Sequence, residues 1–118
     1  MTPPLQATTT YRSVLGHIIK RIRSEKDISQ GDLAFRLGMS QANISKLERG
    51  AGSMSVEQLL RLNRTLGLEP AEGLLHQAAE ACEHIEKRGI KVIWPGEEST
   101  TLSMISSNAL ATLLERTE

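Results

Sequence analysis

The residues of this sequence that could bind a metal lie on one predicted helix. His76, Glu80 and His84 recur at intervals of four residues, so their side chains would share one helix face. Three ligands on one helix rarely complete a tetrahedral site, and the sequence has no cluster of cysteines and histidines elsewhere. Side chains at this spacing more often form charge pairs on a solvated surface. We therefore expect no metal and no cofactor here.

Residue patterns that would indicate an enzyme are missing from the sequence. It contains no serine nucleophile elbow, no glycine-rich phosphate loop and no repeated metal-ligand spacing. The single cysteine, Cys82, falls on the apolar side of a predicted helix, which favours a small core residue over a redox centre. A lone cysteine fits a reducing cytoplasm, and no apolar stretch is long enough to cross a membrane. We expect a cytoplasmic protein that is not an enzyme.

Charge is divided unevenly between the two halves of the chain, although the formal net charge is zero. Residues 11–66 hold ten lysines and arginines against five acids, and residues 67–118 hold four against nine. Lysine and arginine displace condensed counterions from phosphates, so the basic half suits a nucleic acid. Ordinary scatter of surface charge is the alternative explanation. Charge alone does not decide between that explanation and nucleic-acid binding.

A tight turn between two short helices is indicated by four residues at fixed positions. Ala34 is small where a second helix would cross the first, and Gly38 can adopt the positive φ that the turn requires. Ile44 and Leu47 supply apolar anchors on the inner face of the second helix. The combination predicts a helix-turn-helix from Gln30 to Arg49.

Residues 14–66 resemble the lambda-repressor/Cro superfamily, also called the XRE family of bacterial and phage helix-turn-helix regulators. The residues that carry the resemblance are Ile22-Arg23, Ser29 to Ala34, Leu37 to Ser40 and Ile44 to Gly50. The resemblance implies a bundle of about five helices whose recognition helix, residues 40–48, enters the major groove of DNA. It does not extend to residues 89–118.

The resemblance also implies roles for individual residues. Gln30 matches a glutamine that contacts phosphate and braces the recognition helix, and Lys46 can reach guanine. Arg23 and Glu48 match an internal salt bridge, which gives both a structural role. The implied DNA-binding residues are Gln30, Ser40, Gln41, Ala42, Asn43, Ser45, Lys46 and Arg49.

Three regions follow from the elements that must position these residues. Residues 1–10 hold two prolines and several threonines and predict a disordered leader. Residues 11–69 form the predicted DNA-binding domain, beginning with an amphipathic helix after Tyr11. Residues 70–118 hold a fifth helix, a short strand and a last helix, and we expect them to mediate self-association.

The predicted strand, Ile90 to Trp94, is too short to be stable alone. We expect it to pair with the same strand of a second subunit across a two-fold axis, with the last helix covering the seam. The alternative is that the tail folds back on its own bundle. The predicted interface residues are Ile90, Val92, Trp94, Leu110 and Leu113.

These patterns together predict an all-α fold with a small β element and a regulatory function. We expect a sequence-specific repressor that binds double-stranded DNA as a homodimer, with further assembly left open. Its two recognition helices would lie about 34 Å apart on a two-fold symmetric operator. The alternative is an antitoxin-like or other protein-interaction module with secondary DNA binding, whose protein partner the sequence does not identify.

Overall fold

Helices and three short strands make up the part of the chain that the structure, a computed structural model, describes: residues 7–68, 73–94, 103–104 and 107–115. The fold is mainly α-helical, as predicted. In chain order its elements are β1 (Ala7–Thr10), α1 (Tyr11–Glu25), α2 (Gln30–Leu37), α3 (Gln41–Glu48), α4 (Val56–Thr65), α5 (Leu74–Lys87), β2 (Lys91–Ile93), β3 (Ser103–Met104) and α6 (Ser107–Glu115). No described helix combines the length and apolar character needed to cross a membrane.

Serine caps fix the beginnings of three helices. The hydroxyls of Ser29, Ser40 and Ser55 each accept a hydrogen bond, 3.0 to 3.1 Å long, from the backbone N–H three residues later. These bonds satisfy donors that a helix N-terminus would otherwise leave unpaired. α2 ends at Gly38, whose φ of 66° lies in the left-handed region that glycine adopts without a Cβ penalty. The predicted bounds of the helix-turn-helix are therefore confirmed.

The core is built from aliphatic side chains around α1, which packs against α3, α5, α6 and β1. Every helix from α1 to α6 contributes to it. Fully buried core side chains include Val14, Ile18, Ile19, Leu33, Leu37, Ile44, Leu62, Leu66, Leu74, Ile85 and Leu114.

The three strands form a parallel sheet in the order β2-β1-β3. Thr9 of β1 is in register with Val92 of β2, and Thr8 and Thr9 are both buried. The prediction of a disordered leader is therefore wrong for Ala7–Thr10, which form the central strand. Residues 1–6, the rest of that prediction, lie outside the described residues.

The C-terminal elements fold back on the bundle, which was the alternative left open by the sequence. β1 supplies the pairing edge that β2 needs, and α6 packs on α1 and α5. Val92 and Leu110 are buried in the chain's own core, so their prediction as interface residues is wrong. Ile90 and Leu113 are partly buried, and the ring of Trp94 stacks on Tyr11 with 4.7 Å between centroids.

Candidate nucleic-acid interface

α3 presents one polar edge to solvent. Ser40, Gln41, Ala42, Asn43 and Lys46 are all exposed. On the opposite side of the helix, Ile44 and Leu47 are buried in the core. The apolar anchors therefore hold the helix by its inner face. Within the described part of the chain, the polar edge stays accessible to solvent.

A buried ion pair fixes the C-terminal end of α3 to α1. The Nε of Arg23 lies 2.6 Å from Oε2 of Glu48, and a second guanidinium nitrogen lies 3.1 Å from Oε1. The Arg23 and Glu48 side chains are only 11% and 3% exposed. Arg23 also donates to the backbone carbonyl of Ile28 at 2.7 Å, which ties the loop before α2 to the same guanidinium.

Gln30 joins this network from the first turn of α2. Its side-chain Nε2 donates to Oε1 of Glu48 over 2.8 Å. Glu48 therefore accepts from both α1 and α2, and its charge is matched by hydrogen bonds in a site that excludes most water. The contact gives Gln30 the bracing position that the resemblance implied.

Ser45 and Arg49 are brought together at the end of α3. The Arg49 guanidinium donates a hydrogen bond to the Ser45 hydroxyl one turn earlier. Ser45 is half-buried, whereas Arg49 is exposed. Arg49 thus extends from the edge of α3 with its guanidinium held at a defined place, where it can meet an anion.

Two residues that the sequence reasoning missed help to position the helix-turn-helix. A Cβ on Gly31 would lie 3.4 Å from the side-chain oxygen of Gln41, which shows that this carboxamide lies beside the first turn of α2. Arg61 of α4 donates to the carbonyl of Leu37 at 3.4 Å, satisfying an acceptor at the end of α2. The glycine sits inside a helical pattern, which is the sequence signal that could have drawn attention to it.

Two of the three candidate metal ligands on α5 contact each other at the surface. Nε2 of His76 lies 2.7 Å from Oε1 of Glu80, and both side chains are more than half exposed. His84 is not part of this pair. The described residues contain no group of three or more histidines, cysteines or carboxylates able to hold a metal ion.

Cys82 lies on α5 and faces the core of the protein, as the sequence predicted. Its side chain is fully buried. Burial, followed by the nearby charge of Glu86, raises the pKa of the thiol to about 12. The reactive thiolate form is therefore suppressed at neutral pH.

Comparison with known proteins agrees with this geometry. The helix-turn-helix family model matches residues 19–73, which contain α2, α3 and α4. Control protein C.BamHI from Bacillus amyloliquefaciens is 30% identical over 77 residues, covering 64% of this chain and 95% of that protein. The chain belongs to the helix-turn-helix family of transcriptional regulators. The XRE-type resemblance drawn from its sequence is thus confirmed.

Two solved structures share the fold. The clp gene regulator ClgR from Corynebacterium glutamicum has a TM-score of 0.60 and 28% identity, covering 66% of this chain and 82% of its own. The restriction-modification controller protein C.Esp1396I, solved as a tetramer with its natural 35 base-pair operator, has a TM-score of 0.52 and 24% identity. That match covers 59% of this chain and 91% of the controller. β2, β3 and α6 lie outside the family match.

Proposed function

We propose that this protein is a cytoplasmic, sequence-specific repressor that acts as a homodimer on a two-fold symmetric operator. The observation that carries the proposal is the exposed polar edge of α3, from Ser40 to Lys46, on a helix whose opposite face is locked into the core. A helix held in this way can enter the major groove as a rigid body.

The side chains on this edge have the chemistry of base recognition. A glutamine such as Gln41 can make two hydrogen bonds to adenine, and a lysine such as Lys46 can donate to the acceptors of guanine. The methyl group of Ala42 can pack on the methyl of thymine. Gln30, Asn43 and Arg49 flank this edge and supply the proposed phosphate contacts, which set register without reading sequence.

A dimer is proposed because one recognition helix reads few base pairs, whereas two on a symmetric operator double the contacts. Val92 and Leu110 are buried within the chain, so we propose that the interface is formed by other residues. Exposed apolar residues on α4 and α5 offer a replacement. Val56 is 73% exposed, Leu60 is 62% exposed one turn later, and Leu75 is 47% exposed.

One of these residues, Leu75, lines a largely apolar pocket of about 220 Å³ together with Leu59 of α4 and residues of α1. Apolar patches of this kind on a small soluble protein commonly mark an association surface. The controller C.Esp1396I, whose fold is similar, assembles as a tetramer on its operator, which supports self-association as a feature compatible with this fold.

The experiment that tests the proposal begins with selection of bound fragments from a random duplex library. The selected operator is then titrated by fluorescence anisotropy at two salt concentrations, beside a scrambled duplex. We expect a palindromic site and a preference of at least about a thousandfold for it over the scrambled sequence. Binding should weaken steeply as salt is raised. Weak, sequence-independent binding would contradict the proposal and favour the protein-interaction alternative.

Repression is tested by transcription in vitro from a promoter that overlaps the selected operator. We expect the full-length transcript to fall as the protein is added and to be unaffected when the operator is scrambled. An increase in transcript would show activation and contradict the repressor assignment while leaving DNA binding intact.

A further inference from the structure

A basic groove of about 540 Å³ runs between α1, the end of α3 and α6. α1 contributes one polar face to it, on which side chains recur at steps of three and four residues. These α1 residues are Ser13, His17, Lys20, Arg21 and Ser24. α6 forms the opposite wall through Asn108, Ala111 and Glu115.

The groove is continuous with the candidate DNA-binding surface. Gln30, Ser45 and Arg49 line it from α2 and α3, and all three belong to the residues proposed to contact DNA. A duplex whose major groove held α3 would therefore bring one of its strands to the mouth of this groove.

The charges facing the groove favour an anion. Lys20, Arg21 and Arg49 line it, and neither Lys20 nor Arg21 has an ion-pair partner within 4.0 Å among the described residues. Glu48 is already neutralised by its hydrogen bonds to Arg23. Glu115 of α6 is then the acid that opposes these cations.

We propose that this groove binds the sugar–phosphate backbone of the duplex that α3 recognises. Lys20 and Arg21 would contact phosphates, and Glu115 would weaken the same contact by like-charge repulsion. The inference rests on the proposed function and extends it to a groove one wall of which, α6, lies beyond the family match at residues 19–73. It also gives α6 a second role beside its packing in the core, because Glu115 on this helix would lower the affinity for DNA.

The first test measures the salt dependence of binding to a labelled non-specific duplex, since phosphate contacts do not depend on sequence. The variant carries Lys20→Ala and Arg21→Ala together. Removing each phosphate contact should reduce the slope of log K against log salt by about 0.9, so the double variant should show a slope smaller by roughly 2 and about tenfold weaker binding at physiological salt. Lys91→Ala is the matched control, because Lys91 is exposed on β2 and does not line the groove.

The second test changes the opposing acid. Glu115→Gln should bind the same duplex several-fold more tightly than the unmodified chain, with the gain shrinking as salt is raised. Glu86→Gln on α5 removes the same charge from an exposed residue outside the groove and should leave affinity unchanged. Far-ultraviolet circular dichroism of every variant establishes that the helices are intact.

Failure of this inference can be told apart from failure of the proposed function. If the unmodified chain and Lys91→Ala bind DNA but the double variant keeps their affinity and salt slope, the groove is not a backbone site. A double variant that weakens binding with an unchanged salt slope would overturn it equally, since that result indicates a packing defect. If the unmodified chain binds no duplex at all, the proposed function fails and the groove proposal fails with it.

Discussion

Gly16 of α1 lies against the backbone of Leu47 in α3, where the two helices cross. A Cβ built on Gly16 would lie 2.8 Å from the carbonyl oxygen of Glu48 and closer still to that of Leu47. Real Cβ atoms essentially never approach backbone so closely, so any larger residue must push the helices apart. A residue that would be unfavourable in most helices is therefore required in this one.

Gly16→Ala should destabilise the protein, by roughly 1 to 3 kcal/mol, because the clash is with backbone that cannot rotate away. Chemical denaturation measures the free energy of unfolding. Gly31→Ala is the matched control, since its Cβ would meet the flexible Gln41 side chain at 3.4 Å. The helix gains intrinsic stability from alanine, so the control should be neutral or more stable. Equal effects of the two substitutions would refute the close crossing.

Removing one partner of the Arg23–Glu48 pair should cost about 3 to 5 kcal/mol, because the other is left charged and poorly solvated. Arg23→Met and Glu48→Leu are the single variants. The double variant should be markedly more stable than the sum of the two losses predicts, since it leaves no unpaired charge. Urea denaturation of all four proteins gives the coupling energy, and simple additivity would count against a buried pair.

Gln41→Ala should relax sequence preference, whereas Arg49→Ala should weaken binding to all sequences alike. Gln41→Ala should reduce the free-energy difference between the preferred base and the others by about 1 to 3 kcal/mol at one base pair per half-site. Arg49→Ala removes a phosphate contact, which does not depend on sequence. Competition between the operator and single-base variants of it measures both effects. Identical behaviour of the two proteins would show that the assigned roles are wrong.

Leu60→Lys should convert the proposed dimer into a monomer, because it replaces one of the exposed apolar residues of α4 with a charge. Sedimentation equilibrium gives the mass in solution, and circular dichroism reports the helix content. Phe35→Lys is the control: Phe35 is also exposed, at 84%, but lies on α2. A Leu60→Lys protein that remains dimeric would show that this surface is not the dimer interface.

The Cys82 thiol should resist thiol–disulfide exchange at pH 8 in the native state and react once urea unfolds the chain. Burial keeps the reagent away from the thiol. Burial also raises the pKa of the thiol to about 12, so little of the reactive thiolate is present at pH 8. The time course of labelling by a chromogenic disulfide measures this. Reaction at the rate of a free cysteine in the native protein would place the thiol on an accessible surface.

The helix-turn-helix could be predicted from the sequence because the residues that specify it act locally. Ser29, Gly38 and Ser40 act on backbone within a few residues of themselves, and Ile44 and Leu47 mark an inner face by spacing alone. The same holds for Cys82, whose place on an apolar stripe predicted its burial.

Features that depend on distant partners were not predictable in this way. Ala7–Thr10 form a strand because Lys91–Ile93 lie beside them, and the threonines alone gave a composition typical of a flexible segment. For the same reason, the sequence pattern predicts that Val92 pairs with a second subunit, although β1 of its own chain supplies the edge. Gly16 was missed because only the crossing of α1 and α3 shows why its small size matters.

The parallel pairing of Thr9 with Val92 has a consequence for synthesis on the ribosome. The central strand is synthesised before both of its partners and cannot pair until residues beyond the fifth helix have been made, because those partners follow that helix. We therefore expect the nascent chain to assemble its recognition helix early and to close the sheet last.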